Sequence, residues 1–206
     1  MMVSGLILAA GQSKRLGGVK PLLTHETATL IEIVIANYRA SKIDNLILVL
    51  GHDARRVVQK IPLAGLRVVI NPTPSLGMSA SIQRGMAHLA TRNEGIMIAM
   101  GDMPLVGPDT INQIIAAFDK SKKGIAVPVC NKQRGHPVIF DQKKYFDNLL
   151  ELRGDVGAKE ILDANPKDIL EVKVKTDGVL IDVDTREDWE NIRDRLEMPD
   201  SVSSLV

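Results

Sequence analysis

Aromatic residues and cysteine are both scarce in this chain of 206 residues: 3% of positions are Phe, Trp or Tyr, and Cys130 is the one cysteine. So few aromatic side chains leave little from which to build a base-stacking platform for single-stranded nucleic acid. A lone cysteine excludes a disulfide framework and a clustered thiolate metal site, and it predicts a small buried hydrophobe on a strand. An excess of charge is missing too. Lys and Arg number 26 against 25 Asp and Glu, a net charge of +1, so no global basic field points to a nucleic-acid partner. The start, Met1-Met2-Val3-Ser4-Gly5, has no basic leader, and its apolar run is too short to span a bilayer. Those two features predict a cytoplasmic protein without a membrane partner. Two phosphate-binding motifs are also absent. No Gly-Lys-Ser/Thr closes a Walker A loop, and no Gly-x-Gly-x-x-Gly follows a strand as a dinucleotide fingerprint would.

What remains is an ordinary globular composition, 45% hydrophobic and 25% charged, and a length that suits one α/β domain. That domain is expected over residues 1–197, with 198–206, which holds Pro199 and three serines, as a frayed or disordered tail. Apolar runs end sharply at turn residues: Leu46 to Leu50 at Gly51, Arg67 to Ile70 before Asn71, and Gly95 to Met100 at Gly101. Segments with apolar residues at helical spacing lie between them, from Leu30 to Ala40, Asp53 to Lys60, and Ser79 to about Ala90. Strand and helix in alternation predict right-handed crossovers and a parallel sheet covered on both faces. Gly124 to Cys130 and Val138 to Phe140 flank a polar, glycine-containing turn and read as a hairpin, which places an antiparallel strand in the sheet. Glu171 to Lys175 and Val179 to Val183 read as further strands. The expected architecture is a Rossmann-like, three-layer α/β/α fold with an open, mostly parallel sheet.

The chain is organised around Gly5 to Pro21, where an apolar strand breaks into a turn rich in glycine and cations. This is the layout of a phosphate-binding loop at the carboxyl end of a sheet strand. Ala9 and Ala10 leave room for a flat group, Gly11 allows positive φ and close approach, and Lys14, Arg15 and Lys20 suit a polyphosphate. The plain alternative is a strand followed by a solvated basic turn. Further along, Asp102 stands in Gly101-Asp102-Met103-Pro104, just beyond a buried strand at the edge where open sheets bind ligands. One or two carboxylates with substrate phosphates and water suffice for magnesium; the plain alternative is an Asp turn before a helix beginning near Pro108, and the loop at Gly11 favours the metal reading. Thr185 and Asp188 have the spacing of a capping box, with Asp in place of the usual Glu.

The pattern L-A-A-G-x-S-x-R-x-G-x-x-K resembles the signature of the MobA-like nucleotidyltransferases. The resemblance extends in order through Asn71 to Ser81 (N-P-x-x-x-x-G-M-x-x-S), G-D-x-P at Asp102, R-G-H-P at Arg134 to Pro137, G-D-x-G-A at Gly154 to Ala158, and the D-x-D-T-x-E-D-W-like stretch from Asp182 to Trp189. It implies a nucleotide-diphospho-sugar transferase-like fold and transfer of a nucleoside monophosphate to a phosphorylated acceptor. The same resemblance assigns nucleotide binding to Leu8, Ala9, Ala10, Gly11, Gln12, Ser13, Lys20, Asn71, Gly77, Ser79 and Ser81, with the bland alternative that Ser79 or Ser81 merely caps a helix. Lys20 and Arg15 would stabilise the α-phosphate and leaving pyrophosphate. Asp102 and Asp184 would hold Mg²⁺, Asp184 being preferred to Asp182 by its nearness to the strand end.

Arg134, His136 and Asp155 would face the acceptor, Asp155 serving equally well as an N-cap. L-A-A-G is similar to the cytidylyl branch that acts on molybdenum-loaded molybdopterin, whereas the guanylyl branch usually shows L-A-G-G. A methyl at Ala10 would narrow the base site toward a pyrimidine. Met103, where that branch often has Gln, and Thr73-Pro74, which lacks its common aromatic, depart from the pattern. GTP, another phosphorylated acceptor, and a non-catalytic protein delivering cofactor to a molybdoenzyme or its chaperone are the alternatives.

Overall fold

The computed structural model describes residues 1–11, 18–89, 94–155 and 157–196. The expectations for Gln12, Ser13, Lys14, Arg15 and the 198–206 tail therefore lie outside the described residues. In chain order the elements are β1 (Val3–Ala9), a short hairpin of β2 (Thr24–His25) and β3 (Ala28–Thr29), α1 (Leu30–Arg39), β4 (Asn45–Leu50), α2 (Ala54–Val58), β5 (Arg67–Ile70) and α3 (Met78–Met86). They continue with β6 (Gly95–Met100), α4 (Pro108–Asp119), β7 (Ile125–Cys130), β8 (Gln133–Arg134), β9 (Val138–Asp141), α5 (Gln142–Glu151), α6 (Lys159–Ala164), β10 (Ile169–Lys173) and α7 (Arg186–Ile192).

Why β1 shows an unbroken apolar run follows from its place. Parallel β4 pairs on one side and parallel β6 on the other, with Leu6 opposite both Ile47 and Ile98. Helices cover both faces, so both sets of alternating side chains are buried. Leu6, Leu8, Ile47, Val49, Ile96, Ile98 and Phe140 pack with Ile82 and Met86 of α3 and Leu149 of α5. Ile7, Leu48, Leu50, Met97 and Ala99 pack on the opposite face with Ile31, Val34 and Tyr38 of α1, Phe118 of α4 and Trp189 of α7. This is the three-layer arrangement expected from the sequence. Each such fully buried aliphatic side chain contributes about 1.5–3 kcal/mol relative to exposure.

The sheet order is β10-β7-β9-β6-β1-β4-β5, with β8 on β7. Only β9 runs against its neighbours β6 and β7 along this order, as the hairpin pattern predicts. The chain winds outward from β1 through β4 to β5 and then returns to β6 on the other side of β1. Loops leaving β1 and β6 consequently diverge, opening a crevice at the carboxyl ends of these strands.

Three segments differ from expectation. Val179–Val183 is not a strand, because Asp177–Leu180 forms a 3-10 turn capped by Thr176, whose hydroxyl accepts from Gly178 N at 3.0 Å. Its backbone serves loops instead of a sheet ladder: His136 N donates to Val179 O, and Val183 N donates to Asp102 O, both at 2.9 Å. The strand expected at Glu171–Lys175 begins earlier, as Ile169–Lys173 in register with β7. Helix α5 is additional to the expected elements: Asp141 caps it by accepting from Lys144 N at 2.9 Å, and Tyr145 and Leu149 bury one face.

Helix α5 is tied to the start of β10 by Asp168. Its Oδ2 accepts from Tyr145 Oη and pairs with Lys144 Nζ, each at 2.6 Å. Burial works against ionisation of Asp168, but the bonds from Lys144, Tyr145 and the Gly124 N–H outweigh it and hold its carboxyl below the ordinary 3.8. A depressed folded-state pKa contributes stability above the unfolded value that is lost as pH falls through the folded one. Asp168→Asn should therefore lower stability by about 1–2 kcal/mol at neutral pH. The deficit should vanish in strong acid, which urea unfolding across a pH series measures. A constant deficit down to pH 2 would refute this account.

Candidate active site

Two alanines form the floor of the crevice, and two glycines make room for them. A Cβ built on Gly101, at the end of β6, would lie 2.8 Å from Ala9 Cβ; one built on Gly51, at the end of β4, would lie 2.5 Å from Ala10 O and 2.9 Å from Ala10 Cβ. Side chains larger than hydrogen at either glycine would push the β1 loop out of the sheet edge. Ala10 is 6% exposed, its methyl resting on Gly51. Ala10 nevertheless lines the cleft described next. Gly11 does not adopt left-handed φ, and a Cβ there meets nothing within 4 Å among the described residues.

Above this floor lies a cleft of about 840 Å³, lined by Leu8 to Gly11, Lys20, Pro21, Pro74 to Met78 and Ser81. Gly154 and Asp155, packed against Gly77 and Met78, also line it, as do Asp102, Asp182 and Asp184. Lys20 starts a 3-10 turn, Lys20–Leu22, in which Pro21 is buried and Leu23 N donates to Lys20 O at 3.1 Å. From there its ammonium donates to Asp102 Oδ2 at 2.9 Å and Asp184 Oδ1 at 2.8 Å. Burial alone would lower the Lys20 pKa, yet Asp102 and Asp184 more than compensate and raise it above 10.5, so the group stays charged.

Asp184 reaches the site because the bond from Val183 N to Asp102 O pins one end of its segment and helix α7 pins the other. Thr185 and Asp188 form the expected capping box: Asp188 N donates to Thr185 Oγ1 at 3.1 Å, and Asp188 Oδ2 accepts from Thr185 N at 2.7 Å and Asp184 N at 3.0 Å. Interaction with the Thr185 side chain first, then the bonds from the Thr185 and Asp184 N–H groups, hold the Asp188 carboxyl below its usual range against its partial burial. Asp182 stands with Asp102 and Asp184, one ligand oxygen from each lying within 4.8 Å of the others. Burial and then the two neighbouring carboxylates push Asp182 upward. The Asp182-x-Asp184 spacing was the signal for this third carboxylate, which the sequence reading set second to Asp184. Asp102 Oδ1 is buried without a hydrogen-bond partner among the described residues. Such an acceptor, beside two more hard oxygen donors, fits a divalent cation of the magnesium kind.

The remaining sequence-derived residues divide. Ser81 lines the cleft and accepts from Asn71 Nδ2 at 3.0 Å, while Asn71 Oδ1 accepts from Thr73 N at 2.9 Å, so Asn71 shapes the loop from beneath. Ser79 is buried and donates to Gly154 O at 2.8 Å. Neither serine caps α3: Gly77 holds the N-cap position, and Asp155 Oδ1 accepts from Met78 N at 3.0 Å. Asp155 thus caps α3 and not the helix that follows it in the chain, whose N-cap is Ala158. A second cavity, about 570 Å³, shares Asp102 and Asp182 with the first and is lined by Gln133 to His136, Met103 and Leu180. Arg134 faces Glu171 there, donating Nε and Nη2 to Oε1 at 3.0 and 2.8 Å. His136 is lowered by burial, against the opposing pull of Asp102 and Asp182, and its buried Nδ1 has no partner among the described residues.

Comparison with known proteins gives this geometry a context. The MobA-like NTP transferase domain family matches residues 5–169. A nicotine blue oxidoreductase of Paenarthrobacter nicotinovorans is 30% identical over 193 residues, covering 90% of this chain and 93% of that protein. A probable molybdenum cofactor guanylyltransferase of Thermococcus gammatolerans is 31% identical over 170 residues, covering 79% and 83%. Among solved structures, Rv0371c of Mycobacterium tuberculosis in complex with manganese superposes with a TM-score of 0.82 at 28% identity, covering 95% of this chain and 100% of that one. Among the described residues no helix is long and apolar enough to cross a membrane.

Proposed function

The chain belongs to the MobA-like NTP transferase family, and from that premise we propose that it transfers CMP from CTP to the terminal phosphate of molybdenum-loaded molybdopterin in the cytoplasm, releasing pyrophosphate. The observation that carries a transferase reading is the Lys20 ammonium hydrogen-bonded to both Asp102 and Asp184 beside the backbone of the β1 loop. A phosphate oxygen of the acceptor bonds to the α-phosphorus while the bond to the bridging oxygen breaks, and pyrophosphate leaves with the electron pair. The attacking oxygen is already ionised, so no side chain need remove a proton. Two anions must instead be brought together, and positioning and charge neutralisation carry the catalysis.

Lys20 supplies a fixed positive charge at the phosphates, with Arg15 assigned the same role. Asp102, Asp184 and Asp182 are the residues that would hold Mg²⁺, which when bound neutralises phosphate oxygens. A divalent cation is also favoured by the manganese complex of the Mycobacterium tuberculosis relative. The nucleotide is assigned to the larger cleft and the acceptor to the cavity of Gln133 to His136, with Asp102 and Asp182 between them. In the acceptor cavity Arg134 would exchange Glu171 for an anionic group, and His136 would meet it as a neutral donor.

The assignment of CTP rests on the Ala9-Ala10 pair, and the relative named as a guanylyltransferase makes GTP the second reading. Pyrophosphate release with CTP or GTP, Mg²⁺ and molybdenum-loaded molybdopterin separates them. We expect release with CTP. Release with GTP alone would move the protein to the guanylyl branch. Release with neither, together with a redox change in nicotine blue, would favour the chemistry named for the Paenarthrobacter relative over transfer.

A further inference from the structure

Resting on the reading of Asp102, Asp182 and Asp184 as the cation site, we infer that Lys20 is a built-in occupant of that site, displaced by the phosphates of the nucleotide so that the cation binds tightly only in their company. The ammonium holds Asp102 Oδ2 at 2.9 Å and Asp184 Oδ1 at 2.8 Å, oxygens of two of the three carboxylates. This is not a long side chain resting by chance on the surface. Its side chain is 15% exposed, and its backbone is fixed by the turn that buries Pro21.

A magnesium-sized cation on these carboxylates sits about 2.1 Å from its oxygens, hence within about 5 Å of the ammonium. Two positive charges that close in a part-buried cleft repel strongly. Cation and ammonium thus compete for the same anionic oxygens. A triphosphate relieves the competition. Phosphates lying along the β1 loop offer Lys20 new acceptors within the same cleft, and the freed carboxylate oxygens pass to the cation. Linkage makes the effect reciprocal: nucleotide tightens cation binding, and cation tightens nucleotide binding by the same factor.

The opposite role for Lys20 would be that of a permanent strut holding the carboxylates in place for the cation. The two roles differ in sign. Mn²⁺ binding without nucleotide, followed by the electron paramagnetic resonance signal of the free ion, separates them in wild type, Lys20→Met and Lys20→Arg. Lys20→Met should bind Mn²⁺ at least about tenfold more tightly than wild type, within the usual range of coupling between sites. Lys20→Arg, which keeps the charge, should stay near wild type. Mn²⁺ should also raise the melting temperature of Lys20→Met more than that of wild type, a readout that requires the variant to fold. Equal or weaker Mn²⁺ binding in Lys20→Met overturns the inference. Adding Asp102→Asn distinguishes its failure from that of the underlying reading. If the double variant binds Mn²⁺ as well as Lys20→Met does, the cation lies elsewhere and the cluster itself is misread. If Asp102→Asn weakens Mn²⁺ binding by wild type while Lys20→Met leaves it unchanged, the cluster stands and only the role of Lys20 falls.

Discussion

Asp102→Asn should reduce pyrophosphate release by about 10³-fold, the worth of several kcal/mol of charge stabilisation at the reacting phosphates. Shape is preserved by this change, so the effect reads charge and not packing. Asp102 Oδ2 is a partner of Lys20, Oδ1 is the buried unpartnered atom, and the residue borders both cavities. No other described residue combines these three features. An amide in its place donates where the carboxylate accepted, and it no longer anchors either an ammonium or a cation.

Folding stability is the internal control. Three carboxylates crowd this corner, and Asp102 is one cause of the upward push on Asp182. Removing its charge relieves repulsion while weakening the pair with Lys20, so the two effects oppose. Stability by urea unfolding should change by less than about 1 kcal/mol. Activity that survives within tenfold would remove Asp102 from the chemistry. A loss of several kcal/mol in stability would make it a structural residue.

Much of this site was legible because strand ends announce themselves. The runs Leu6–Leu8, Leu46–Leu50 and Ile96–Met100 are apolar without alternation, as burial on two faces requires, and each stops at small residues or glycine where the sheet edge opens. Asp102 and Lys20 were found from that logic. Local hydrogen-bond chemistry was legible as well, since Thr185 and Asp188 lie three residues apart and needed no partner from elsewhere. What stayed hidden depends on distant contacts. Asp155 could cap a helix, but nothing local says that the helix is α3, which begins 77 residues earlier. Val179 and Val183 have the composition of a strand, and tertiary bonds to His136 N and Asp102 O decide otherwise. The packing of Ala10 on Gly51, from another strand end, is equally invisible locally.

Gly77→Ala should destabilise the protein by about 3 kcal/mol, combining backbone strain with overpacking. Gly77 has φ 93° and ψ −176°, a region that side chains rarely enter. A Cβ there would lie 2.5 Å from both the carbonyl carbon and oxygen of Gly154 and 2.7 Å from Asp155 N. Backbone cannot rotate aside as a flexible side chain would, so the 154–155 segment must move. That segment supplies the Asp155 cap on Met78 N and the Gly154 oxygen that accepts from Ser79 N and Oγ. Its displacement uncaps α3 and shifts part of the cleft lining. Lys20, Asp102 and Asp184 stand elsewhere along the cleft and keep their mutual geometry. The defect should therefore fall on nucleotide affinity more than on the chemical step. KM should rise about tenfold or more with kcat little changed, tenfold corresponding to about 1.4 kcal/mol of lost ground-state binding. Asp155→Asn, which keeps an acceptor for Met78 N, should be the milder variant in both measurements. Wild-type stability in Gly77→Ala would show that the 154–155 segment yields freely, and a collapse of kcat at unchanged KM would place this part of the cleft in the chemistry instead of in binding.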